Sequence, residues 1–468
     1  MGEGAPEVEV SGLAYSSQSV EPGDLFFCVR GFKSDGHDFA ADAVARGAVA
    51  LVCERSLGLG VPEVVVPASR AAMAPAAARF FGDPTRTLRV VGITGTNGKT
   101  TTAFLTRTIL EAADMPTGQL GTVTSVVGGR EEAVERTTPE AIDLQRTFRR
   151  MLDAGDQACV MEVSSHALAL GRAEGIVFAC RVFTNLTQDH LDFHEDMEDY
   201  FQAKRRLFED PGPSVVNVDD EYGRRLVGTL HGAATYGIES EAHYRAREVQ
   251  FDTGGARFTC VTPDGQVEIA TRLPGLFNVS NVLAATAAAR ELGVPLETIR
   301  RALAEARRVP GRFEPVDEGQ PFAVLVDYAH TPDSLDNVLR AAREITSGRL
   351  HVVFGAGGDR DQGKRPLMGE VAAALADRVI VTSDNPRSED PDSIVDQVLA
   401  GAGARAEREV DRRRAIALAV ETAEPDDVVV IAGKGHEQGQ EFEGGRKEPF
   451  DDVTVAREAL RASMGARR

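Results

Sequence analysis

Residues 92–101 read GITGTNGKTT, and nearly every type in that string has something to offer a polyphosphate. Gly95 and Gly98 let the main chain approach an anion, the amides of a loop through Thr96 and Asn97 donate to it, and Lys99 brings a point charge. Thr100 and Thr101 open the helix that follows, and the hydroxyl of Thr100 suits Mg2+. The spacing departs from the generic G-x-x-x-x-G-K-T, since Ile93 stands where the first glycine belongs. A plain Gly-rich turn with a solvated lysine is a poor rival, because strand, loop, Gly-Lys-Thr and helix coincide.

Two more segments carry groups of the right kind. MEVSSH at 161–166 puts Glu162 at the carboxyl end of a predicted strand, and TNLTQDHLDFH at 184–194 does the same for His190. Open α/β sheets place their ligands at such ends. A single Glu or His is more often a surface or capping residue; two strand ends flanking one phosphate loop favour a cation site instead. Lys204, within FQAKRRLF, reads from its neighbours as part of a solvated helix face.

These groups need parallel strands to hold them. Apolar runs at 88–93, 158–163, 181–186 and 214–218 read as buried strands, with helical periodicity over 100–113, 141–152 and 197–208. Between 244 and 272 the pattern alternates around Asp264 and Gly265, the signature of a small antiparallel flap. Further strands at 322–326, 350–354, 378–382 and 428–432 suggest a doubly wound unit. Before residue 86, short apolar runs at 24–29, 49–53 and 63–66 alternate with Ala-rich helical stretches. The expected class is α/β in three domains: a small N-terminal α/β domain (1–86), a central P-loop ATPase-like parallel-sheet domain (87–311) and a C-terminal Rossmann-like domain (312–468). At roughly 150 residues per domain the length agrees.

Hydrophobic residues are 42% and charged residues 26%, which excludes wholesale disorder. The net charge of -20 argues against nucleic acid or an anionic membrane as partner, so an anionic ligand must be held by local Arg, Lys, amides or metal ions. Cys28, Cys53, Cys159, Cys180 and Cys260 are scattered and lack C-x-x-C spacing, as expected of small buried hydrophobes in a reducing cytoplasm. No apolar stretch approaches the ~18 residues of a membrane helix, and the N-terminus lacks a leader's basic and apolar regions. The expectation is a soluble, unexported, cytoplasmic protein.

The string GTNGKTTT at 95–102 resembles the phosphate loop of the Mur ligase and folylpolyglutamate synthetase superfamily, ATP-dependent enzymes that join a carboxylate to an amine. Matching motifs run along nearly the whole chain. The resemblance implies ATP and Mg2+ as cofactors, nucleotide phosphates on Gly95, Thr96, Asn97, Gly98, Lys99, Thr100 and Thr101, and Mg2+ on Thr100, Glu162 and His190. It also implies carbamylation of Lys204, which would turn a cation into a carboxylate able to reach the metal. Thr137, Thr138, Ser164, Ser165 and Arg172 match positions that contact a nucleotide-sugar peptide, although Leu170 stands where the family commonly has Gln.

GLFNVSN at 275–281 resembles the family's G-x-F-N-x-x-N, whose last residue, Asn281, approaches adenine; on the residues alone, Asn278 or Asn281 also suits a helix N-cap. Arg312 stands at a hinge from which it can swing onto the ATP phosphates, with an interdomain salt bridge as rival. Asp327 and His330 match ribose and adenine contacts. Asp384, Asn385, Pro386 and Arg387 read on their own as a turn that presents a planar guanidinium fork. In the resembled family this tetrapeptide marks the members that add meso-diaminopimelate, whose extra carboxylate the Arg clamps. Arg360, Gly433 and Glu437 align with other positions for that amino acid, Glu437 facing its distal ammonium. SSQSVEPGDLF at 16–26 resembles D-S-R-x-V-x-P-G-D-L-F, with Ser16 and Gln18 replacing Asp and Arg, and implies uridine binding by Ser17, Lys33 and Ser34.

The function so implied is a monomeric ligase with UDP-N-acetylmuramoyl-L-alanyl-D-glutamate and meso-diaminopimelate as partners, forming an acyl phosphate in peptidoglycan precursor synthesis. Its rivals are the same ligase adding L-lysine, a folylpolyglutamate synthetase-like ligase, and a nucleotide-gated regulatory ATPase. Arg387, the first-segment motif and the strand-end Glu162 and His190 speak against them in turn.

Overall fold

A computed structural model describes residues 7–31, 34–134, 136–252 and 254–466, so that Lys33, a uridine candidate, lies outside the described residues. The chain separates into two compact units, residues 1–92 with 115–179, and residues 93–114 with 180–468.

In the first unit four short parallel strands, Gly12–Ala14, Asp24–Phe27, Ala50–Cys53 and Glu63–Val65, lie side by side in chain order. The helix Ser69–Phe80 seals one face by packing Met73, Ala74 and Ala77 on Leu13, Phe27 and Val52, and Ala141 and Ile142 of the helix Ala141–Ala154 close the same core. Beyond that helix the wholly buried strand Ala158–Glu162 pairs in parallel with Thr117–Leu120, and an antiparallel meander through Ser125–Val127 and Arg130–Glu132 follows. Glu162 thus ends an apolar run, as its sequence position suggests.

The second unit contains the strand Arg181 belongs to, Phe178–Phe183, followed in parallel by Ser214–Asn217, Ala234–Gly237 and Tyr244–Asp252. The last continues into antiparallel Gly255–Thr262 and Gly265–Thr271, the expected flap. The strand expected over 181–186 is displaced toward the N-terminus. Residues 184–186 turn their polar groups elsewhere: Thr184 Oγ1 donates to Asn97 O (2.7 Å), Asn185 Oδ1 accepts from Asn97 N (2.8 Å), and Leu186 N donates to Asp220 (3.0 Å).

Further along, parallel strands Ala323–Asp327, Val428–Ala432, Leu350–Phe354 and Arg378–Val381 lie in that spatial order. Leu335, Leu339, Met368, Val395 and Val398 cover one face, and Ile416, Val420, Val455 and Leu460 the other, so the sheet is doubly wound. Asp327 and residues 355–361, 382–387 and 433–437 all fall at or just beyond the carboxyl ends of these strands. All five cysteines are buried, and among the described residues no helix is long and apolar enough to cross a membrane.

Behind those strand ends Arg412 and Asp452, both fully buried, form a two-pronged pair (Nε–Oδ1 2.8 Å, Nη2–Oδ2 2.7 Å), and Nη2 also donates to Ala432 O (2.9 Å). Burial pushes the Asp452 carboxyl up, against the pull of Arg412. Arg412→Met is expected to destabilise the fold by about 3–5 kcal/mol, because it strands a buried carboxylate, while the Arg412→Met, Asp452→Leu double variant recovers much of the loss. Chemical unfolding midpoints of the two variants check this; equal losses would show that packing rather than charge dominates.

Candidate active site

The strand Arg89–Thr94 delivers the chain into the loop and the helix Lys99–Ala112 leaves it, with Gly98 at the N-cap. Gly95 (φ 149°) and Gly98 (φ 85°) occupy backbone regions that side chains avoid. A Cβ on Gly95 would lie 1.8 Å from Thr184 Oγ1, and one on Gly98 2.4 Å from Asn281 Oδ1. The loop is therefore clasped on both sides, and Thr96 adds hydrogen bonds to Tyr200 Oη (3.1 Å) and Thr187 O (3.2 Å).

Lys99 Nζ donates to Gly95 O (2.9 Å) and Thr96 O (2.8 Å). Lys204 Nζ donates to the same Gly95 O (2.8 Å) and lies 4.6 Å from the centre of the Tyr200 ring. The solvated helix face read for Lys204 is wrong: its residue is 1% exposed, because the helix Met197–Arg205 turns Tyr200, Phe201, Ala203 and Lys204 inward beneath the loop. Burial first, and the neighbouring Lys99 second, hold the Lys204 amine well below the usual lysine range. A neutral amine is what addition to carbon dioxide requires, so the environment fits carbamylation.

Thr100 Oγ1 accepts from Arg312 Nη2 (3.2 Å), and the Arg312 guanidinium lies 4.5 Å from the centre of the Tyr328 ring. Arg312 therefore touches the loop rather than an interdomain carboxylate. Asn281, on the helix Leu276–Glu291, meets Asn278 Oδ1 (3.3 Å) and Thr102 Oγ1 (3.4 Å). The N-cap of that helix is Gly275, so neither Asn278 nor Asn281 caps it; Asn278 Nδ2 instead donates to Pro274 O (2.8 Å). Asp327 spends both oxygens on backbone amides, Phe313 N and Ala329 N (each 2.7 Å), and burial raises its carboxyl despite Arg312. His330 Nδ1 lies 2.8 Å from Tyr328 O, and burial followed by Lys364 lowers its pKa.

His190 sits in a left-handed conformation (φ 57°) with Nε2 3.5 Å from Asp189 Oδ2. Asp189, the neighbour of His190 in the chain, is a further member of the site that the motifs do not assign. It is buried and pairs with Lys364 (3.1 Å), and Lys364, His190 and His330 outweigh its burial and hold its carboxyl well below the usual range. Asn97 Nδ2 to Asp333 Oδ2 (2.7 Å) and Gln188 Nε2 to Asp361 Oδ2 (3.3 Å) run alongside this pair.

The first unit gathers its own candidates. Thr138 Oγ1 donates to Glu162 O (2.9 Å) and accepts from Ser164 N (3.1 Å), Ser164 caps a short helix at Ala167 N (3.2 Å), and Arg172 Nη1 donates to Thr138 O (3.3 Å). Thr137 Oγ1 lies 3.0 Å from Thr122 Oγ1, and Thr122 in turn donates through N (2.9 Å) and Oγ1 (3.1 Å) to the Glu162 carboxylate. Ser165 Oγ is buried with no partner among the described residues. Arg70, Arg136 and Arg172 converge on the buried Glu140, a residue the motifs did not single out. Ser17 stands apart, half-buried in the short turn Ser17–Ser19.

At the strand ends of the doubly wound sheet the remaining candidates meet. Asn385 Nδ2 donates to Glu437 Oε2 (2.8 Å), and Lys434, fully buried, donates to Asn385 Oδ1 (2.9 Å) and Glu437 Oε2 (3.0 Å). Gly433 lies against Asp384, 2.4 Å from Oδ2 at its missing Cβ. Arg387 Nε contacts Glu441 (3.0 Å) and Nη1 contacts Gly358 O (2.6 Å); both Arg387 and Arg360 border Gly357. Pro386 precedes Arg387, whose N donates to Glu441 O (3.0 Å). Arg365, with no side-chain exposure, grips Glu389 with both Nη atoms (2.8 Å each) and so ties the loop after Phe354 to the one carrying Arg387.

Comparison with known proteins accounts for this arrangement. Models of the Mur ligase family, catalytic domain, the Mur ligase middle domain and the Mur ligase, glutamate ligase domain match residues 9–81, 93–289 and 311–435. The chain belongs to the Mur ligase family. The UDP-N-acetylmuramoyl-L-alanyl-D-glutamate–2,6-diaminopimelate ligase of Geobacillus thermodenitrificans is 48% identical over 97% of this chain and 95% of its own. The ligase of the same name from Caldanaerobacter subterraneus is 45% identical over 98% and 97%. A solved structure of a ligase of that name, 34% identical, superposes with a TM-score of 0.70 over 97% of this chain and 95% of its own. The MurF ligase of Thermotoga maritima, solved with ADP, shares the fold (TM-score 0.69, 18% identity, 97% and 98% coverage).

The loop geometry makes a direct forecast. Gly98→Ala meets both an unfavourable φ and Asn281, and is expected to weaken ATP binding by about tenfold or more, ~1.4 kcal/mol. Gly82→Ala, at φ 77° with open space around its Cβ, is expected to leave ATP binding unchanged. Calorimetric titration with ATP separates the two; matched effects would mean that backbone strain alone is being read.

Proposed function

We propose that the chain is the ADP-forming ligase that adds meso-diaminopimelate to UDP-N-acetylmuramoyl-L-alanyl-D-glutamate, as a monomer in the cytoplasm, during peptidoglycan precursor synthesis. One observation carries the reading. In the second unit Arg312 joins the phosphate loop at Thr100, stacks on Tyr328, and Tyr328 meets the His436 ring at 5.2 Å, beside Lys434 and Glu437. In this reading the loop assigned to ATP phosphates adjoins the cluster assigned to the incoming amino acid, which supports ligation at one site. The division at 1–86, 87–311 and 312–468 belongs to the same proposal, with uridine on the first domain at Ser17, nucleotide on the second and incoming amino acid on the third.

A carboxylate resists amine attack because oxide would have to leave. Attack of the substrate carboxylate on the γ-phosphorus of ATP releases ADP and leaves an acyl phosphate, whose leaving group is phosphate. Lys99, re-aimed from the carbonyls of Gly95 and Thr96, and Arg312 neutralise charge on the transferred group, while the loop amides hold the remaining phosphates. Thr100, His190 and, once carbamylated, Lys204 are assigned to Mg2+, and so by its own motif is Glu162; the oxygen and imidazole donors suit a hard cation, which when bound would supply further charge neutralisation. Asn281, Asp327 and His330 are assigned to the nucleoside, and Thr137, Thr138, Ser164, Ser165 and Arg172 to the sugar peptide. The diaminopimelate amine then attacks the acyl carbon, phosphate leaves, and loss of a proton completes the amide. Arg387 and Arg360 take the distal carboxylate; Asp384, Asn385, Gly433 and Glu437 take the rest of the amino acid, Glu437 its ammonium.

Lys99→Ala is expected to abolish phosphate release and product with an unchanged unfolding midpoint; retained turnover would reject the assignment. Arg387→Ala is expected to raise the KM for meso-diaminopimelate by about tenfold to a hundredfold, the ~1.5–3 kcal/mol of a charged hydrogen bond, and to leave the KM for ATP within about twofold. Equal changes in both constants would reject the clamp.

A further inference from the structure

Arg387 has a backbone that must be held in place. Its φ of 52° is the left-handed region, unfavourable for a residue with a Cβ. The segment 440–442, outside every motif singled out in the sequence, does the holding. Gln440 Nε2 donates to Asp384 O (2.8 Å), Glu441 N to Asn385 Oδ1 (3.0 Å) and Arg387 N to Glu441 O (3.0 Å), and Arg387 forms an isolated parallel bridge with Phe442. The contact continues through the side chain, where Arg387 Nε meets Glu441 Oε2 at 3.0 Å.

A guanidinium has five N–H groups on three nitrogens. Glu441 takes Nε and Gly358 O takes Nη1, whereas Nη2 has no hydrogen-bond partner among the described residues. The guanidinium is therefore held at two of its three nitrogens, and Nη2 is the nitrogen left for a ligand. The side chains of Arg387 and Glu441 are 20% and 35% exposed, so solvent reaches the pair. Glu441 contacts the guanidinium at Nε and leaves Nη2 to a ligand carboxylate.

We propose that Glu441 is the positioning residue of the clamp and, through Arg387, sets the preference for an amino acid that carries a second carboxylate. The inference rests on the functional reading above. Glu441 makes no contact with the reacting atoms; it orients Arg387 in advance, so that the ligand carboxylate does not have to order a long side chain on binding.

The test is steady-state kinetics of the full chain with Glu441→Ala, Glu441→Gln, Arg387→Ala and the Arg387→Ala, Glu441→Ala double variant, using meso-diaminopimelate and L-lysine as acceptors. Glu441→Ala is expected to raise the KM for meso-diaminopimelate about tenfold, leave kcat and the KM for ATP within about twofold, and lower the preference over L-lysine by a similar factor. Glu441→Gln, which keeps an acceptor for Nε, falls between wild type and Glu441→Ala. In the Arg387→Ala background Glu441→Ala adds nothing. An unchanged or lowered KM in Glu441→Ala overturns the proposal, as does an equal further loss without Arg387, which would mark a merely structural role. A wild-type chain that refuses meso-diaminopimelate overturns the functional reading as well, whereas one that accepts it while Glu441→Ala is silent overturns only the positioning role.

Discussion

The carbonyl oxygen of Gly95 accepts from two lysines at once, Lys99 at 2.9 Å and Lys204 at 2.8 Å, and the second of these is shut away from water. Two ammonium charges sharing one acceptor inside a protein repel each other strongly. Burial and the neighbouring Lys99 relieve the conflict by favouring a neutral Lys204 amine. Much of the second unit is arranged to keep this loop in place: Tyr200 and Thr187 on Thr96, Thr184 and Asn185 on Asn97, Asn281 on Gly98, and Arg312 on Thr100.

The cluster at the strand ends of the doubly wound sheet is built on the opposite principle, alternation of charge. Asp452, Arg412, Asp384, Lys434, Glu437 and Asn385 succeed one another from the core of the doubly wound sheet to its rim. Such a network is stable only while its charges are paired, which fixes its side chains in single orientations. Arg365 with Glu389 and Glu441 with Arg387 extend that order into the two loops at the rim.

Strand ends were legible because they are local. An apolar run followed by glycines and polar residues announces both the strand and the ligand end, and the groups at Glu162, Asp327, Asp384 and Gly433 fall where that rule puts them. The antiparallel flap was readable from Asp264 and Gly265 for the same reason. What the sequence hid was set by contacts between distant residues. Lys204 is flanked by Gln202, Arg205 and Arg206, a polar neighbourhood in one dimension, yet it meets Gly95, 109 positions away. Lys364 finds Asp189 across 175 positions, and Arg412 finds Asp452 across 40, in helices whose own periodicity gives each a surface face. Glu441 lies on a short strand, Gly439–Glu441, too brief for any pattern to mark.

The account stands or falls on an acyl acceptor chosen by Arg387 at a site energised by the Gly95 loop. Phosphate release and product formation, measured with UDP-N-acetylmuramoyl-L-alanyl-D-glutamate, ATP and Mg2+ and with meso-diaminopimelate, L-lysine or no amine in parallel, test that most directly. Release coupled to a new tripeptide only with meso-diaminopimelate is the predicted result. Preference for L-lysine would contradict the role given to Arg387, and release independent of any amine would contradict ligation altogether.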